Sequence, residues 1–202
     1  LLNRVASKRG GTGVLKAVTR KIEEMDFDFE HSQVRIIANR NCPEIKLVGL
    51  DIGPFEEGNE YETYYWVALE LEKAGIARFR EDESIGTAKL NKIQWIECVQ
   101  TSGQISKLPD DFYPKLRRYV VQLKQDAAKA PEKIREYERV RQLTRDIINS
   151  RMKKIVSLAS TSTRTEQALK NFTKEEKFLY EHLYKFINGW HTRILKQGET
   201  EQ

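Results

Sequence analysis

VRIIANRNCPEIKLVGLDIGPFEEGNEYETYYWVALELEKAGIARFR, Val34 to Arg80, is the stretch that decides the fold. Its two apolar runs, Val34–Ala38 and Ile45–Leu50, have the length and β-branched content of strands. Gly53-Pro54 and Gly58 punctuate a turn-rich acidic loop. Tyr64-Tyr65-Trp66 opens a short helix, and Ile76–Arg80 returns as a strand. This spacing predicts a compact β-rich module with no catalytic constellation in it.

Outward from this module the chain changes character. Upstream, Leu1–Gly13 is basic and glycine-containing and reads as frayed, without the apolar centre of a secretory signal. The chain opens on Leu1 rather than Met, which reads as a truncated or altered end. Val14, Leu15, Val18, Ile22 and Met25 then recur at helical spacing and predict a helix that packs on the module. Downstream, Glu81–Gly86 is an acidic link. His31–Gly86 holds eleven acidic and six basic residues, whereas Thr87–Gln202 holds 23 basic and 14 acidic. An acidic β-module followed by a basic helical part is a two-domain signature. The expected division is 1–30 (extension and helix), 31–86 (small β-rich domain with its link) and 87–202 (helical domain). The fold class is α+β, a small N-terminal β-rich domain followed by a larger all-α bundle.

From Thr87 every segment reads as helix. Thr87 is placed to cap Ala88–Gln100, and Asp110 or Asp111 to cap the next helix after a break at Thr101–Pro109. Pro114 falls in that helix's first turn, where its missing N–H costs little. Phe112, Leu116, Tyr119, Val120 and Leu123 make one stripe, and Ala127–Pro131 ends it. The longest helix runs from about Pro131 to Ala159. Ser160–Thr165 is a polar loop, and Thr173 with Glu176 has capping-box spacing before a last helix carrying Phe178 to Ile194. Asn188-Gly189 is a candidate kink in it. Helices joined by short breaks argue a bundle.

Candidate chemistry is sparse. His31, His182 and His191 have no metal-ligand spacing, and Cys42 and Cys98 read as free thiols. Arg9-Gly10-Gly11-Thr12-Gly13 lacks the preceding strand and the Gly-Lys-Ser/Thr of a phosphate loop. No catalytic, cofactor-binding or metal residue is assigned, and no run approaches the ~20 apolar residues of a membrane span. Basic residues of the helical part are interleaved with acidic ones, which predicts a solvated face and at most weak, non-specific DNA contact. The alternative is a stand-alone nucleic-acid-binding protein using that face.

Three motifs in order carry a resemblance. Asp51-Ile52-Gly53-Pro54-Phe55-Glu56-Glu57-Gly58 followed by Trp66–Leu71 and Ala77-Arg78-Phe79 resembles the small β-domain of the GINS replication family. Leu108-Pro109-Asp110-Asp111-Phe112-Tyr113 is similar to the entry of the GINS helical domain, and Phe172–Tyr180 to its C-terminal helix start. The order, small domain first, resembles the archaeal-type subunit related to the second and third eukaryotic subunits. Tyr61–Tyr65 departs from the family pattern, which has a β-branched residue and a proline before the tryptophan.

The resemblance implies a non-catalytic scaffold without cofactors. Its implied partners are a sister GINS subunit, the MCM helicase and a Cdc45/RecJ-like protein. Its implied location is the nucleoid of an archaeal cytoplasm or a eukaryotic nucleus. Gly53, Pro54, Phe55, Gly58 and Trp66 are the expected small-domain signature, with Trp66 filling the core. Ile134, Tyr137, Val140, Ile147, Ile148, Met152 and Ile155 are the expected subunit interface, a stripe on the long helix that other subunits would help to bury.

Overall fold

The computed structural model describes residues 3–81, 83–99, 104–161 and 169–197. It divides into two compact units, Leu1–Ser84 and Ile85–Gln202.

The first unit begins with α1 (Asn3–Glu30), continues through β1 (Gln33–Ala38), β2 (Ile45–Leu47), β3 (Leu50–Ile52) and β4 (Glu60–Tyr64), and ends with α2 (Tyr65–Lys73) and β5 (Ala77–Phe79). Helix α1 extends beyond the expected Val14–Met25 at both ends and takes in Asn3–Gly13, expected to fray. Strand β1 is central in the order β4-β1-β5, both pairings antiparallel. Val34, Ile36 and Ala38 are buried, the period of two that a half-buried strand dictates.

The expected strand Ile45–Leu50 is instead two short strands folded on each other, with Leu47 opposite Leu50. Gly49, at φ +81°, supplies the left-handed turn residue that a two-residue hairpin requires. Strand β4 lies where the sequence predicts loop before the short helix. Its Glu-Tyr-Glu-Thr-Tyr sequence alternates half-buried Tyr61 and Thr63 with exposed neighbours, so a period-two signal was present without the apolar run that usually carries it.

The core of this unit joins Phe29, Val34, Ile36, Ile52, Phe55, Tyr65, Val67 and Leu71. Tyr65 stacks on Phe79 and leans on Phe29, with ring centroids 5.2 and 4.4 Å away.

The second unit comprises α3 (Thr87–Val99), α4 (Phe112–Lys129), a 3₁₀ turn (Pro131–Lys133), α5 (Ile134–Ala159) and α6 (Lys174–Gln197). Helices α3, α4 and α6 all pack on α5. Two expected caps are differently employed. The Asp111 carboxylate pairs with Lys115 at 2.6 Å rather than with backbone N–H groups. The Thr87 hydroxyl meets Tyr119 at 3.1 Å and donates to Glu136 at 3.3 Å. Helix α6 runs through Asn188-Gly189. The polar loop lies outside the described residues from Ser162 onward, as do Thr101–Gly103 of the expected break.

Apolar packing in this unit forms two clusters. One gathers Leu90, Leu108, Phe112, Leu116, Val140 and Ile147. The other gathers Ile105, Ile155, Ala159, Phe172 and Tyr180. On α5, Ile147 belongs to the first and Ile155 to the second, and Arg151 stands one turn from each.

Candidate subunit interface and the buried network behind it

The residues expected to meet other subunits separate into two faces of α5. Val140, Ile147 and Ile155 are buried within the chain's own clusters, and Tyr137 packs half-buried against the first. They are core rather than free surface, a correction to the expected interface: α3, α4 and α6 already cover that side. Ile134, Ile148 and Met152 are exposed. Ile148, Met152 and Val156 follow at i, i+4 and i+8, one residue out of phase with Ile147, Arg151 and Ile155, hence rotated by about 100°. That shift turns one stripe inward and leaves the other outward. Helix α6 adds a second outward row, Leu179, Phe186, Trp190 and Ile194, with Trp190 59% exposed. Helix α3 adds Trp95 and Val99. Such rows of exposed large apolar side chains make these helix faces candidate contact surfaces.

The inward face holds a group that the sequence reading did not anticipate. Arg151 is fully buried. Its Nε and Nη2 donate to the two carboxylate oxygens of Glu176 at 2.7 and 2.6 Å, a bidentate fork. Its Nη1 donates to Glu97 Oε1 at 2.8 Å and to the Ser106 carbonyl at 2.6 Å. Lys154 Nζ donates to the second Glu97 oxygen at 2.8 Å and to the Glu97 carbonyl at 3.0 Å. That carbonyl lies in the last turn of α3, where backbone oxygens lack intrahelical partners and a cation is favoured by the helix dipole. Ser106 donates its hydroxyl to Glu97. Tyr113 donates its hydroxyl to Glu176 Oε1 at 2.7 Å.

Glu176 also serves its own helix. Its carboxylate accepts the Thr173 N–H at 3.0 Å, while its N–H donates to the Thr173 hydroxyl at 3.3 Å, the reciprocal capping box that the sequence spacing predicted. Glu97, Arg151, Lys154 and Glu176 balance to zero net charge and join α3, α5 and α6. Isolated buried charges are costly; paired and hydrogen-bonded ones persist.

The electrostatics follow from this arrangement. Burial pushes the Glu97 carboxyl up, but hydrogen bonds from Lys154 and Ser106 and the Arg151 charge outweigh it and hold Glu97 below its ordinary value. Burial disfavours the Arg151 charge, and Glu176 and Glu97 more than restore it. Burial and the adjoining Glu176 carboxylate push the Tyr113 hydroxyl well above its ordinary range. The network thus favours the charged forms of Glu97 and Arg151 and the neutral form of Tyr113.

In the first unit the expected signature residues occupy one turn and one helix. Gly53 adopts φ +93°, and an added Cβ would lie 3.2 Å from the Phe55 ring. Phe55 is buried, and its backbone exchanges two hydrogen bonds with Cys42. Gly58 has φ +85°, and Pro54 is exposed. Trp66 departs from expectation: it is 38% exposed, and Tyr65 takes the core position. Helix α2 buries Tyr65, Val67, Ala68 and Leu71, and a residue directly after Tyr65 is rotated off that face. Among the described residues no cluster of His, Cys, Asp and Glu could hold a metal, and no helix is long and apolar enough to cross a membrane.

Comparison with known proteins now gives this architecture its class. The family model for the GINS complex protein helical bundle domain matches residues 84–195, and that for the PSF2 N-terminal domain matches residues 21–79. The chain belongs to the GINS family: it is a non-catalytic subunit of a DNA replication complex. Within the family it is a PSF2-like subunit. The DNA replication complex GINS protein PSF2 of Homo sapiens is 27% identical over 145 residues, spanning 72% of this chain and 74% of the relative. Its counterpart from Xenopus laevis is 25% identical over the same shares. Membership implies other GINS subunits as partners.

Proposed function

We propose that this subunit is a scaffold that helps join the MCM helicase to a Cdc45/RecJ-like partner, with its helical unit assembling the complex and its small unit presenting a further contact surface. The observation that carries the assembly role is the outward row Ile148, Met152 and Val156 with the exposed apolar residues of α6. These rows suit the faces of partner helices, as in other helix-on-helix interfaces. The MCM and Cdc45/RecJ-like contacts follow from the family resemblance. The work would take place at chromosomal DNA, in a nucleus or, for an archaeal source, in the nucleoid.

The test is co-purification with untagged sister GINS subunits, followed by light scattering and by capture of MCM and a Cdc45/RecJ-like protein. A fixed-ratio complex is expected, weakened at least about tenfold by Met152→Glu combined with Trp190→Glu, since charges placed in a contact core are strongly disfavoured. A monodisperse monomer indifferent to sister subunits would overturn the assembly role. An intact complex that captures neither partner would overturn the bridging role alone.

A further inference from the structure

The small unit has a second surface whose chemistry differs from the apolar helix faces. Strand β4 is the edge of its sheet, and β3 belongs to a separate two-stranded sheet. A cleft lies between them, lined by Leu50, Asp51 and Ile52 on one side and Glu62, Thr63 and Tyr64 on the other.

The strand register shows what the backbone presents there. Ala38 N–H donates to the Asn59 carbonyl at 3.0 Å and Tyr65 N–H to the Ser32 carbonyl at 3.0 Å. In an antiparallel pair such bonded positions recur every second residue, so Tyr61 and Thr63 direct their peptide groups at β1. The peptide N–H and C=O of Glu60 and Glu62 therefore face the open edge, as does the N–H of Tyr64, whose carbonyl opens α2. In the β2–β3 hairpin, Leu47–Leu50 flanks a two-residue turn and is a bonded pair, as is Ile45–Ile52. The peptide groups of Asp51 therefore face away from β2. An unpaired edge of this kind is the template for strand addition.

The side chains add selectivity. Asp51 and Glu62 are the charged residues lining the cleft, and no Lys or Arg lines it. Glu60 continues the acidic edge and pairs with Arg80 at 3.1 Å. Of the cross-strand cations, Lys46, opposite Asp51, pairs with Glu44 at 3.7 Å, and Arg35, opposite Glu62, reaches Glu83 at 3.9 Å. Such an edge repels nucleic acid and favours a cationic chain.

We propose that this cleft is a docking site for an extended basic segment of a partner protein, which adds as a strand to β4 while its Lys or Arg side chains meet Asp51 and Glu62. Main-chain bonds supply affinity in this mode and alternate side chains supply specificity. The site is independent of the helix faces that serve assembly.

The test uses the isotope-labelled full chain and an end-blocked octapeptide alternating Arg and Val, followed by NMR. Saturable shifts are expected at the amides of Asp51, Glu60, Glu62 and Tyr64. A Glu/Val peptide should bind at least about tenfold more weakly, as like-charge juxtaposition dictates. An Arg/Val peptide N-methylated at alternate amides should lose binding, because it cannot donate to the edge. Asp51→Lys with Glu62→Lys, both at exposed positions, should reverse the preference between the two peptides. Absence of saturable binding, shifts that map to the helical unit, or indifference to N-methylation would each overturn the proposal, as would unchanged preference in the double variant.

Discussion

The two units of this chain are held together by opposite means. The small unit closes on aromatic and aliphatic packing, with Phe29, Phe55, Tyr65 and Phe79 gathered around β1 and glycines setting its turns. The helical unit has two apolar clusters, and between them α3, α5 and α6 are joined by ions. Apolar packing is non-directional and tolerates substitution by similar volumes. A bidentate guanidinium fixes orientation and register as well as contact. The comparison teaches that the smaller unit depends on shape, whereas the larger depends on a few directed bonds.

The largest expected effect is on those bonds. Arg151→Met retains volume but leaves Glu97 and Glu176 buried without their shared partner, and should cost the helical unit about 3–5 kcal/mol. Denaturant unfolding of the full chain, read by probes in each unit, should show the loss confined to the helical transition. A cost below about 1 kcal/mol, the scale of a surface pair, would break the comparison.

The aromatic side of the contrast is sharpened by two neighbours. Tyr65→Ala should destabilise the small unit by about 3–5 kcal/mol, because a buried ring leaves a cavity. Trp66→Ala should cost about 1 kcal/mol or less, as for a partly exposed position. Equal costs in thermal unfolding would mean that Trp66 carries core weight after all.

The smallest effect concerns pH. Glu97 is held below its ordinary value of 4.5, so its contribution is present above that value and is lost as pH falls through the lower folded value. Tyr113 is held above its ordinary 10.0, so its contribution is present below that value and declines as pH rises beyond it. The helical unit should therefore show a plateau between these limits and lose stability on both sides. Circular dichroism melts across pH would reveal it, and Glu97→Gln should abolish the part of the acid slope that Glu97 supplies.

How far the sequence was legible differs between these regions for physical reasons. β1 announces itself because Val34, Ile36 and Ala38 alternate, and α6 because Thr173 and Glu176 have the spacing that a cap requires. Trp66 misleads because size suggests burial, while the phase of α2 is set one residue earlier by Tyr65. β4 escapes because its inward positions, Tyr61 and Thr63, are polar. The ionic network escapes for a related reason. Glu97, Arg151 and Lys154 are the residue types that usually stay in water. Their burial could have been suspected only from phase, since Arg151 falls in line with Ile147 and Ile155 on α5. Reading the long-helix stripe by residue type selected Met152, the exposed neighbour.

The double duty of Glu176 has a consequence for how the helical unit comes apart. One carboxylate accepts both the backbone group that starts α6 and the guanidinium that docks it on α5. Peeling α6 away would strand Arg151 and disturb the cap together, so the helix start has no half-detached state in which only one contact is lost. Secondary structure and docking are thereby fused into a single cooperative event, and α6 leaves α5 all-or-none rather than by gradual fraying from its beginning.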